Sequence, residues 1–260
     1  MEKITAPSHL LTRRRLLQLS GMSSVGLLLS SCGTSLLSES VGSLTEPLNL
    51  KVGELLLKPQ TPVPEFPISA IEPQALLVNG NPTPQIDLEK YRLIIDGEVN
   101  QPMQLSVADI YKLPLTSMVM RHVCVEGWAA IVQWGGVRLR DLLNLAQPKS
   151  QVRYAYFQSA DRDSDGIPFY ESWDIASVLH PQTLLAYQKN GQPLPPDNGA
   201  PLRLASPIKL GYKQSKWVTR VTLTSNLIPP KWLTEIASAS NWNARKGYWI
   251  DQGYEWFGGI

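Results

Sequence analysis

The chain has 260 residues and a formal charge of +2, but residues 1–32 hold Lys3, Arg13, Arg14 and Arg15 against Glu2 alone, which leaves the rest at −1. That balance offers no basic footprint for nucleic acid, and a composition 43% hydrophobic and 18% charged gives no sign of general disorder. With only two cysteines, Cys32 and Cys124, a disulfide scaffold is excluded.

The amino terminus reads as an export signal. Thr12-Arg13-Arg14-Arg15-Leu16-Leu17 matches the twin-arginine pattern, and the uncharged stretch from Leu16 to Ser31 is short and only moderately apolar, unlike a membrane-spanning helix. Leu29-Ser30-Ser31-Cys32-Gly33 has the form of a lipobox, whose cysteine becomes a lipidated first residue. Lipidation would tie the protein to a membrane surface without spanning it. Residues 1–32 are therefore set apart from the fold as a twin-arginine signal peptide with a lipobox. Such a route delivers proteins already folded, often because a cofactor is inserted first, and it predicts a periplasmic, lipid-anchored protein.

Residues 33–65, rich in Ser, Thr, Pro and Gly, suit a tether, and 66–260 is long enough for one substantial domain. Within it, Tyr91 to Gly97 alternates and stops at a turn dipeptide, which predicts a strand. Ser106 with Asp109 three residues on predicts a capped short helix reaching Tyr111. Ser117 to Val125 predicts a strand that brings Cys124 near its carboxyl end. Leu139 to Ala146 has helical apolar spacing, and Val152 to Phe157 alternates again. Trp173 to Leu179 reads as a short helix and Lys216 to Thr224 as a strand. Clustered prolines from Pro193 to Gly199 predict a loop. The sum is an α+β domain with more strand than helix.

Cys124 carries the chemistry most in need of assignment. With Cys32 in the export signal, it has no internal disulfide partner. It is then a small buried hydrophobe, a reactive thiol or a ligand to a soft metal, and its local sequence leaves all three open. Zinc is disfavoured, since no second structural cysteine remains and the three histidines lack ligand spacing. Neither His122 nor His180 forms a Cys–His signature with it, and His122 is set aside as a partner. A second constellation joins Asn198-Gly199-Ala200-Pro201-Leu202-Arg203 to the segment from Gly211 to Trp217. Its Gly and Pro fix the backbone, while Asn198, Arg203, Lys213 and Lys216 are donors suited to a phosphate or a polar heterocycle. No Walker loop or GxGxxG is present. Asp161, Asp163 and Asp165 with Gly166 look like a calcium-loop fragment, but Ser172 stands where the final Glu belongs, so a solvated turn is expected. Trp128, Trp134 and Trp217 are expected as core or pocket walls, and Tyr248, Trp249, Tyr254 and Trp256 as a packed tail.

Several motifs in one order resemble a known family. They are Cys124-Val125-Glu126-Gly127-Trp128, Trp134-Gly135-Gly136-Val137, Leu184-Leu185-Ala186-Tyr187 with Asn190-Gly191, the Asn198 to Arg203 run, Gly211-Tyr212-Lys213 with Lys216-Trp217, and Gly253 to Gly259. Over roughly 86–260 the chain resembles the molybdopterin-dependent oxidoreductases of the sulfite-oxidase fold, among them the catalytic subunits of periplasmic protein-methionine-sulfoxide reductases. The resemblance implies a single-domain molybdopterin-binding fold of mixed β-sheets with short helices, and a molybdenum–molybdopterin cofactor. It implies Cys124 as catalytic residue and metal ligand, and Ser159, Asn198, Arg203, Gln214, Ser215 and Lys216 as cofactor-binding residues. Ser159 stands where relatives have Thr, and Lys216 can meet the pterin phosphate. Two departures stand out. Ala75 to Gly80 does not match the family's pterin-binding stretch, so Asn79 is left out, and Val123 replaces an Arg that relatives often carry. The implied reaction reduces S-oxides such as methionine sulfoxide by oxygen-atom transfer, with electrons from a membrane haem protein, in a monomer that binds no nucleic acid. The alternatives are sulfite dehydrogenase chemistry, running the transfer the other way, and a cofactor-free lipoprotein that uses the fold as a binding module.

Overall fold

Residues 62–75, 82–124, 126–162, 166–226 and 230–236 are described by the computed structural model, all within the unit Lys51–Ile260. The expected signal, the lipobox and most of the tether lie outside the described residues. So do Asn79, Asp163, Asp165 and the four aromatic residues expected to pack as a carboxyl-terminal tail. In chain order the described elements are β1 (Leu93–Gly97), β2 (Met103–Leu105), α1 (Val107–Tyr111), β3 (Thr116–Val123), β4 (Ala129–Arg138), α2 (Leu139–Leu145) and β5 (Tyr154–Arg162). There follow β6 (Pro168–Asp174), α3 (Ile175–Val178), β7 (Leu184–Lys189), β8 (Gln192–Pro193), β9 (Arg203–Ala205), β10 (Val218–Thr224) and α4 (Lys231–Ile236).

Two sheets result. The first has the order β2-β1-β10-β5-β6, and the second has β3-β4-β7-β8 with β9 also paired to β7. β1 runs parallel to β10, with Ile95 opposite Val221, whereas every other pair is antiparallel. The main core joins the sheets: Leu93, Ile95, Phe157 and Val221 of the first cluster with Val137, Leu185 and Leu204 of the second and with Leu139, Leu142 and Leu143 of α2. Trp173 is fully buried there and donates its indole N–H to the Lys213 carbonyl at 2.9 Å, which satisfies its polar edge. A second cluster, including Met118, Met120, Val132, Trp134, Leu184 and Ala186, covers the other side of the second sheet.

β4 escaped the pattern reading because Ala129 to Val137 reads as a near-continuous apolar run rather than an alternation, and its second half, Trp134 to Val137, is buried on both faces. α1 forms as expected: Ser106 Oγ accepts from the Asp109 N–H at 3.1 Å, and the Ser106 N–H donates to the Asp109 carboxylate at 3.1 Å. The helix expected over 173–179 begins later. Trp173 ends a strand buried in the core, and Asp174 caps α3 by accepting from the Ser177 N–H at 2.8 Å. β5 continues past Phe157 to Arg162, because its polar second half still pairs with β10 and β6. The proline-rich stretch holds a two-residue edge strand and a 3-10 turn over Pro196–Asn198, otherwise loop as expected.

Candidate functional site

β3 and β4 are consecutive antiparallel strands whose last pair is Val123 with Ala129, and Cys124 opens the tight connection between them. Its N–H donates to the Trp128 carbonyl at 2.8 Å, and the Gly127 N–H returns to the Cys124 carbonyl at 3.1 Å. The thiol, partly buried, lies 3.7 Å from Glu126 Oε2, the same oxygen that accepts from the Trp128 indole at 3.0 Å. No group of three or more His, Cys, Asp or Glu able to hold a metal occurs among the described residues. Cys124 could serve a metal that brings most of its own ligands.

His122 precedes Cys124 by two residues. It lies within β3, whereas Cys124 follows the strand's end in the connection to β4. Its buried ring stacks with Trp128 at 6.2 Å between centroids and meets Trp134 edge-on at 6.0 Å. Burial, with help from Arg203 and Lys189, pushes its pKa down to about 3, and Nδ1 has no hydrogen-bond partner. A neutral ring with one unused nitrogen results.

The aromatic series leads to the cations. The Arg203 guanidinium sits 4.5 Å from the Trp134 ring centroid, a distance at which the ring face attracts a cation. Arg203 is buried and donates only to carbonyls, those of Asn198 at 3.0 Å, Leu204 at 3.1 Å and Gln214 at 3.5 Å. Burial pushes its pKa down to about 9, which leaves it charged at neutral pH. Lys189, also buried, donates to Asn198 Oδ1 at 3.0 Å and to the Ala75 carbonyl. Lys216 reaches the Asp197 carbonyl at 3.0 Å and is pushed down to about 8 by burial and then by Arg203, with Asp161 and Asp197 opposing. Among the described residues no carboxylate forms an ion pair with Arg203 or Lys189. Buried charge without a countercharge is costly, and the arrangement suits an anionic ligand.

Five expected cofactor residues fall into this one network. Asn198 ends its 3-10 turn, and Gly199 follows with φ 111°, a conformation that favours glycine. A Cβ on Gly199 would lie 2.9 Å from the Lys216 Cβ and 3.1 Å from the Arg203 Cβ, so the two halves of the constellation pack directly together. Ser215 accepts the Leu204 N–H at 2.8 Å through its carbonyl, and its side chain is buried. Gln214 spends its amide on the 206–209 loop: Oε1 accepts from the Ser206 N–H at 3.1 Å, while Nε2 donates to the Ser206 and Lys209 carbonyls at 3.0 and 2.6 Å. Its carbonyl meets Arg203. Ser159 enters from the other sheet, buried in β5 opposite Val218, and the next N–H, of Ala160, donates to the Trp217 carbonyl at 2.9 Å. Cys124 connects to the group through the rings of Trp128, His122 and Trp134. Of the three tryptophans expected as walls, Trp134 and Trp217 are buried and Trp128 is 37% exposed.

His122 was set aside and Lys189 was not singled out; the only local signal for the second is a lysine two residues after the apolar run from Leu184 to Tyr187.

Comparison with known proteins gives a consistent result. The pattern of the oxidoreductase molybdopterin binding domain matches residues 80–241. A protein of Azospira oryzae, named provisionally as the protein-methionine-sulfoxide reductase subunit YedZ1, is 37% identical over 175 residues, 67% of this chain and 58% of that protein. The protein-methionine-sulfoxide reductase catalytic subunit MsrP of Campylobacter jejuni is 34% identical over 155 residues, 55% of this chain and 52% of its own length. The chain thus spans little more than half the length of these two relatives. Among solved structures, the sulfane dehydrogenase SoxCD of Paracoccus pantotrophus superposes with a TM-score of 0.51 at 25% identity, over 55% of this chain and 40% of that one.

Proposed function

Because the chain belongs to the family of oxidoreductase molybdopterin-binding domains, we propose that it reduces S-oxides, methionine sulfoxide among them, by oxygen-atom transfer at a molybdenum held by Cys124. The observation that carries the reading is the pair of buried cations, Arg203 and Lys189, which among the described residues form no ion pair with a carboxylate and are joined by packed rings to the segment holding Cys124. The residues fit the cofactor. A pterin with two dithiolene sulfurs and a phosphate needs one soft ligand from the protein and positive charge to meet its anion.

When bound, the molybdenum–pterin group supplies two-electron oxidation–reduction with transfer of one oxygen atom. Cys124 would hold the metal as a thiolate. Arg203 and Lys216 would meet the anionic end, Asn198 the polar heterocycle, and the hydroxyls of Ser159 and Ser215 would complete the contacts. Gln214 contributes by holding the 206–209 loop and by fixing Arg203 through its carbonyl. Trp128 and Glu126, exposed beside Cys124, would border the substrate. Reduction of an S-oxide to a sulfide consumes two electrons and two protons and releases water, and a membrane haem protein would supply the electrons. The twin-arginine pattern and the Cys32 lipobox support a periplasmic, lipid-anchored protein.

The structural likeness to a sulfane dehydrogenase favours a second reading, in which the same site oxidises a sulfur substrate. Protein exported from a molybdenum-replete host should contain stoichiometric molybdenum, and Cys124→Ala should fold as well but contain almost none. Wild-type protein without molybdenum refutes the enzyme reading and leaves the binding-module alternative. Methionine sulfoxide reduction with a viologen donor, assayed beside sulfite oxidation, then decides the direction.

A further inference from the structure

Lys189 lies at the end of β7, where a strand buried on both faces has no packing need for a charge. Its ammonium donates at 3.0 Å to Asn198 Oδ1 and at 2.5 Å to the Ala75 carbonyl. An ammonium has donors and no acceptor, so the Asn198 atom facing it is the oxygen. The amide is thereby oriented. Ala75 belongs to the segment before β1, so one side chain ties that segment to the constellation at 198–203.

Charge adds a second constraint. Burial lowers the Lys189 pKa and Arg203 lowers it further, so the two cations feel each other. Among the described residues neither forms an ion pair with a carboxylate. A strut between two carbonyl-type oxygens could be built from a neutral donor. Two neighbouring buried cations gain from a shared anion.

We propose that Lys189 is a positioning residue of the cofactor pocket: it orients the Asn198 carboxamide and shares with Arg203 the negative charge of the bound cofactor. The proposal rests on the reading that this pocket holds a molybdopterin. It concerns cofactor retention, which can be measured apart from activity.

The experiment compares wild type, Lys189→Met, Lys189→Gln and Lys189→Arg from a molybdenum-replete host. It records molybdenum and pterin per folded chain, the rate of pterin release against salt concentration, and the melting temperature of the cofactor-free forms. A hydrogen-bonded charge of this kind contributes enough for Lys189→Met to release pterin about tenfold faster at low salt. Its release should also depend less steeply on salt. Lys189→Arg should stay within about threefold of wild type, because charge and donors are kept. Lys189→Gln keeps a donor without the charge and should release quickly, and it carries the comparison if Lys189→Met does not fold. Equal release rates and salt slopes in wild type and both neutral variants overturn the proposal, and a lowered cofactor-free melting temperature beside them marks Lys189 as a strut. Wild type that contains no pterin overturns the underlying reading as well, and that result is visible without any variant.

Discussion

Gly199→Ala tests whether the two halves of the constellation are packed as tightly as the geometry implies. The substitution carries two costs. Its φ of 111° lies where a side chain is strained, at about 1–3 kcal/mol. The new Cβ would also meet the Lys216 Cβ at 2.9 Å and the Arg203 Cβ at 3.1 Å, and overpacking of that kind costs about 1–3 kcal/mol. Gly191 supplies the control. It has φ 73° in the turn between β7 and β8, and an added Cβ there would find only Gln133 Oε1, at 3.8 Å. Gly191→Ala should therefore cost only the conformational part, roughly 1–2 kcal/mol. The difference of about 1–3 kcal/mol corresponds to a melting temperature lower by roughly 2–12 °C in Gly199→Ala for a domain of this size. Thermal unfolding of the two cofactor-free variants, followed by near-UV circular dichroism, measures it. Cofactor content should also fall in Gly199→Ala, whose displaced neighbours are Arg203 and Lys216, and be retained in Gly191→Ala. If Gly199→Ala melts at or above Gly191→Ala, the close packing between 198–203 and 214–216 is wrong.

Other expectations rest on buried charge. Burial raises the Asp161 carboxyl to about 6, against the opposing pull of Lys216. The folded protein thus keeps this proton to a higher pH than the unfolded chain does. The associated stability is complete below the ordinary carboxylate range and is lost as pH rises through about 6. Asp161→Asn should raise the melting temperature of the cofactor-free protein at pH 8 with little change at pH 4, and an equal shift at both would contradict the assigned cause. Lys213 and Glu171 form a buried ion pair at 2.7 Å. Lys213→Met should destabilise by about 3–5 kcal/mol in urea unfolding by leaving a buried carboxylate, and adding Glu171→Gln should restore much of that loss. A double variant no more stable than the single one would show that the pair does not govern the effect. Cys124→Ala should change the stability of the cofactor-free protein by less than about 1 kcal/mol, because the residue is partly exposed in a turn.

Local chemistry made several parts of this protein legible in the sequence. The Ser106–Asp109 cap, the strand Leu93–Gly97 and the strand that ends at Val123, just before Cys124, depend on neighbours within a few residues. Ordered motifs at Cys124, Asn198 and Gly211 pointed to the family, since each is a short segment with fixed backbone demands. Other features needed the tertiary structure. β4 and the extension of β5 were hidden because burial on both faces, or polar ladder residues, erase the period-two signal. His122 was set aside as a partner of Cys124, and its ring contacts with Trp128 and Trp134 show only in the fold. The charge imbalance could not be read locally either, because Arg203, Lys189 and Lys216 come from three segments and are brought together by β9 pairing with β7 and by the close approach at Gly199. Sequence alone determined which residue types the site contains. Only the fold determined that Arg203 and Lys189 are buried near each other with no ion pair to a carboxylate among the described residues, because desolvation depends on what packs around a charge rather than on its neighbours along the chain.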